Sequence, residues 1–98
     1  MRTQIVNLKR GITYKDEQHK VVVLREPMVR DYMAAEDVAE VYKSYSYKVA
    51  LISKLIEKVD GLPEDAIVTL NMLKALHPKD MKLLFAALDD LEVEEGNE

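Results

Sequence analysis

The stretch VVVLREPMVRD, residues 21–31, decides how this chain is built. Four apolar residues, three of them β-branched, suit a strand; Arg25 and Glu26 follow, and then a proline. Pro27 lacks an amide hydrogen and fixes its own φ, so a strand ladder is expected to stop by Glu26 and the chain to turn there. Beyond it, VRDYMAAEDVAEVY repeats apolar residues at Val29, Met33 and Val38, with Tyr32 and Ala35 beside them, which predicts a first helix over residues 29–40. Asp31 falls in its first turn, where a carboxylate stabilises the exposed amides and the positive end of the dipole by ~0.3–1 kcal/mol.

Upstream, TQIVNLK puts Val6 and Leu8 on one side of a strand and Ile5 on the other, and the polar YKDEQHK separates it from KVVVLRE. The pair reads as an antiparallel hairpin, with a bulge or bend at Gly11. Two strands alone are marginal in water, so one face has to lie on the helices that follow. The clearest period is in SYSYKVALISKLIEKVDG, where Tyr45, Val49, Ile52, Ile56 and Val59 form a stripe that predicts one helix at the centre of the core. Gly61 suits the position after that helix, and Pro63 with Glu64 and Asp65 suits the start of another.

PEDAIVTLNMLKAL is apolar at helical spacing, but its β-branched middle predicts a break into two short helices. HPKDMKLLFAALDDLE begins with Pro78 near the first helical position and carries Met81, Leu84, Phe85, Leu88 and Leu91 as its stripe. The expected class is α+β: an N-terminal antiparallel β-hairpin followed by three to four packed α-helices, one domain over residues 1–91 and an acidic, disordered tail over 92–98.

Ninety-eight residues make one modest core, and 48% hydrophobic with 33% charged is a folding composition. No apolar run approaches the ~18 residues that span a bilayer, and MRTQIVNLKRG lacks the apolar region of a secretory signal, so a cytoplasmic location is expected. The absence of cysteine removes disulfides, thiolate chemistry and the common structural zinc sites. Charge is unevenly spread: residues 1–30 carry seven bases against three acids, and residues 31–98 carry seven against fifteen.

Reactive groups do not converge. His19 falls in the hairpin turn and His77 before a helix start, neither at a ligand spacing from another His or a carboxylate; both read as surface or capping residues. Three scattered glycines build no phosphate cradle, and adjacent carboxylates such as Glu36-Asp37 diverge by about 100° on a helix. Neither catalysis, nor a metal or cofactor, nor a small-molecule substrate is expected. Nucleic-acid binding remains as an alternative, carried by Lys9, Arg10, Lys15, Lys20 and Arg25 on the hairpin. The same charges equally keep an exposed strand edge from pairing with other chains.

Aromatic residues raise a third possibility. Tyr42 and Tyr45 fall on the predicted core stripe, whereas Tyr47 falls on the opposite face with Lys43, Lys54 and Lys58; an outward Tyr buries much area at low entropic cost when a partner docks. Met28, Met33, Met72 and Met81 read as core filler, although flexible Met also suits surfaces that bind helices.

The order of features then resembles a family. A strand ending in Leu24-Arg25, then Pro27, then Asp31 opening a helix, and later the Gly61-Leu62-Pro63 turn, is similar to the tail assembly chaperones of contractile-tailed bacteriophages over residues 4–91. The longer LNMLKALHPK stretch and the charged end depart from that pattern. The resemblance implies a non-catalytic role in the host bacterial cytoplasm: binding the long, helical tape measure protein, keeping it soluble and helping tail tube protein assemble around it, in several copies. It carries over no binding residues, so the candidates for partner contact are Tyr32, Tyr42 and Tyr47.

Overall fold

The expected hairpin forms, β1 (Thr3–Tyr14) pairing antiparallel with β2 (Glu17–Arg25), in a computed structural model that describes residues 1–93. Its turn is the two residues Lys15 and Asp16, both at positive φ (50° and 65°), the backbone twist that suits a tight hairpin. Gly11, at φ 92°, sits where the register slips: Asn7 faces Val21, yet Ile12 faces His19, so Leu8 to Gly11 bulge out against the single residue between. A Cβ on Gly11 would lie 2.6 Å from the His19 carbonyl oxygen, which excludes a side chain there.

Four helices follow among the described residues: α1 (Val29–Val38), α2 (Ser44–Leu55), α3 (Leu70–Lys74) and α4 (Pro78–Glu92). The long predicted helix is shorter than its stripe. It stops at Leu55, and Ile56–Val59 becomes a strand, β3, which pairs antiparallel with β2 and makes a three-stranded sheet of order β1-β2-β3. The physical cause lies in Arg25. Its guanidinium donates to the Lys54 carbonyl at 2.9 Å, an acceptor that the amide of residue 58 would take in a continuing helix. The freed backbone pairs with the open edge of β2, and the Asp60 amide bonds the Val21 carbonyl at 2.9 Å.

Gly61 therefore ends a strand rather than a helix, at φ 91°. No helix starts at Pro63; only the second of the two expected short helices forms, where the Thr69 hydroxyl accepts from the Met72 amide at 3.2 Å. The first helix also stops at Val38, two residues before its expected end. The last helix begins as expected, with Pro78 in its first turn and the His77 ring accepting the Lys79 amide at 3.1 Å. It runs through Glu92, the first residue of the expected tail; residues 94–98 of that tail lie outside the described residues.

The core lies between the inner sheet face (Val6, Leu8, Ile12, Val22, Leu24), α2 (Val49 to Ile52, Leu55) and α4 (Met81, Leu84, Leu88, Leu91), with Leu73 of α3 closing one side. The first helix packs on α2 through the small Ala35 rather than through the expected stripe: Val29 and Met33 are 74% and 62% exposed, and Val38 is 47% exposed. Of the four methionines read as core filler, Met81 is buried and Met72 packs partly against the core, while Met28 and Met33 stand open.

Candidate functional site

Two carboxylates hold the frame that any site is built on. The Asp31 carboxylate accepts both guanidinium nitrogens of Arg25 at 2.7 and 2.8 Å and the Met28 amide at 2.8 Å. With the bond to Lys54, Arg25 thus ties the end of β2, the start of α1 and the end of α2 together, and it is lost to any role in a basic surface. At the other end of the molecule the Asp80 carboxylate, wholly buried, accepts the amides of Lys9, Arg10 and Gly11 at 2.7, 3.0 and 2.9 Å. It stitches α4 to the bulge of β1. Asp80 reads from sequence as a first-turn acid alone; nothing in its own neighbourhood of the chain points to a bulge some seventy residues earlier.

The three candidate tyrosines separate. Tyr32 on α1 and Tyr47 on α2 are both half-buried against the core, close enough to Glu92 that its charge disfavours ionisation of each ring hydroxyl. The Tyr32 hydroxyl donates to Glu92 at 2.7 Å. Burial first, and this carboxylate second, push the Tyr32 hydroxyl well above the usual phenol range. Burial and then the charges of Glu36 and Glu92 raise Tyr47 in the same direction. Tyr42 stands apart in the link between α1 and α2, 78% exposed.

The faces of the tyrosines are the reverse of the expected ones: Tyr42 and Tyr45 (57% exposed) turn outward, and Tyr47 turns toward the core. The helix starts only at Ser44, so Tyr42, two residues before it, is not bound to the α2 stripe at all. Tyr45 leans edge-on to Phe85 with ring centroids 5.0 Å apart, and Lys48 lies over the far ring at 5.6 Å.

Exposed large apolar residues concentrate here. Seven of the twelve among the described residues (Met28, Val29, Met33, Val38, Val41, Tyr42 and Tyr45) lie between residues 28 and 45, so α1, its link and the first turn of α2 carry most of the exposed large apolar side chains. Beside them, a groove of about 530 Å³ opens between the end of α1, the start of α2 and α3, with Val38, Tyr45, Val49, Leu70 and Leu73 in its walls and Lys43 and Lys74 at its rim. A second, larger concavity of about 710 Å³ runs between β3 and residues 62–68. Among the described residues no cluster of three His, Cys, Asp or Glu side chains is placed to hold a metal ion, and no helix is long and apolar enough to cross a membrane.

A family model described as "Phage tail assembly chaperone proteins, E, or 41 or 14" matches residues 5–92, nearly the whole chain. The chain belongs to this family of phage tail assembly chaperones. No curated protein and no solved structure matches it.

Proposed function

We propose that this chain is a non-catalytic chaperone that binds the tape measure protein in the host bacterial cytoplasm, keeps it soluble and assists assembly of tail tube protein around it. The observation that carries this reading is the concentration of uncovered apolar side chains over residues 28–45, next to the groove walled by Val38, Tyr45, Val49, Leu70 and Leu73. A long helical protein with apolar faces aggregates unless those faces are covered, and a groove between helices covers one by receiving its apolar stripe. In this reading Tyr42, exposed in the link between α1 and α2, anchors the contact, and the half-buried Tyr32 and Tyr47 lie toward Glu92 of α4.

Co-expression with the tape measure protein of the same phage or prophage tests this. The expected result is a several-fold gain in soluble tape measure protein and its co-purification with the chain. An unchanged insoluble fraction, or retention of the chain on DNA with strong salt sensitivity, would overturn it.

A further inference from the structure

We propose that two copies of this chain pair through the outward face of α1, running antiparallel about a two-fold axis at Met33. The order of side chains on that face carries the inference. Val29 and Met33 are four residues apart, hence on one side of the helix, and both are largely exposed. Arg30 and Asp37 are seven residues apart, two turns, so they share one flank of that apolar line; both are exposed, and among the described residues neither makes an ion pair.

A two-fold axis lying in the contact plane and perpendicular to the helix reverses its direction but keeps each flank on its own side. Arg30 lies three residues before Met33 and Asp37 four residues after it, so the rotation brings Arg30 of each copy within about one residue's rise of Asp37 of the other. Two ion pairs then bracket a centre made by Met33 and Val29 of both copies. Parallel pairing, about an axis along the helix, would carry the partner's Arg30 and Asp37 to the opposite flank, so of the two arrangements only the antiparallel one brings Arg30 against Asp37. Glu36, on the other flank, meets no like charge in it, because the side chain placed opposite is Val29.

The contact is small. A ten-residue helix is about 15 Å long, and its face falls well short of the ~800 Å² per partner of a standard stable interface. Self-association is therefore weak, with Kd on the order of 10 µM to 1 mM. Val38, Tyr42 and the groove lie off this face, so pairing leaves them open; the inference goes beyond the tape measure reading and does not depend on it.

Analytical ultracentrifugation from about 2 µM to about 2 mM protein, which brackets that range, tests the pairing. The expected result is a dimer at the upper end, weakened roughly tenfold or more by Arg30→Glu and by Asp37→Lys taken singly. Two recoveries follow from the symmetry. The doubly substituted chain self-associates like the original, and an equimolar mixture of the two single variants forms a mixed dimer. Circular dichroism checks that each variant keeps its fold. A monomer throughout the range, single variants that associate unchanged, or a mixture that fails to recover would each overturn the proposal.

Discussion

At Asp80 a single carboxylate satisfies three consecutive amides of a bulge that has no strand partner, and it does so without contact with water. Burial alone would push its carboxyl up; the amides of Gly11, Lys9 and Arg10 together outweigh burial and hold it below the usual carboxylate range. Asp31 is held low as well, chiefly by its bond to Arg25 against the opposing effect of burial. Replacing Asp80 with Asn keeps the shape but leaves one acceptor oxygen for three donors, so urea unfolding should show a loss of roughly 1–3 kcal/mol at neutral pH. Both carboxylates have folded values below the unfolded one of about 3.9, so their stabilisation is complete above that pH and lost as pH falls through the folded values. Stability is expected to vary little between about pH 5 and 8 and to fall steeply below about pH 4, and the fall should be shallower in Asp80→Asn.

Among the elements, β3 is the one whose existence the amino-acid pattern conceals. Val59 is buried whether the segment is a helix, where it continues the stripe from Ile52 and Ile56, or a strand, where it faces Val22; periodicity alone does not separate the two. The decision is tertiary, made by Arg25 taking the Lys54 carbonyl and by the unpaired edge of β2. Asp60→Pro removes the amide that bonds Val21 at the end of this pairing. It should cost about 1–3 kcal/mol and speed hydrogen exchange in β2 and β3, while exchange in α4 changes little. Equal acceleration throughout the molecule would mean that β3 has no separate stability.

The hairpin, by contrast, was legible: alternation at Val6 and Leu8, the β-branched run at 21–23 and the block at Pro27 are local signals, and local physics decides them. So was α4, whose cap, proline and stripe agree. The first helix was legible in position but not in facing. Its apolar residues at Val29, Met33 and Val38 predict a core stripe, yet the helix turns them outward, because Asp31 is drawn under the sheet end by Arg25 and sets the rotation. A partly buried ion pair thus exposes apolar side chains, and only the charge at Arg25, six residues away, hints at it in the sequence.

For the whole molecule, the consequence is a small domain in which the sheet with α4, stitched by Asp80, is distinct from the part that offers most of the apolar surface, α1, the start of α2 and α3. Most of the exposed large apolar side chains among the described residues and the groove of about 530 Å³ sit in the second half, and the basic residues of the hairpin tip sit in the first. This separation lets one experiment distinguish the readings. Amide chemical shifts of the isotope-labelled chain, followed while a soluble helical fragment of the tape measure protein is added, test the central claim most directly. Shifts concentrated at residues 38–49 and 70–74, with the hairpin tip unmoved, are the expected result; shifts confined to residues 9–20, or none at saturating fragment, would contradict it.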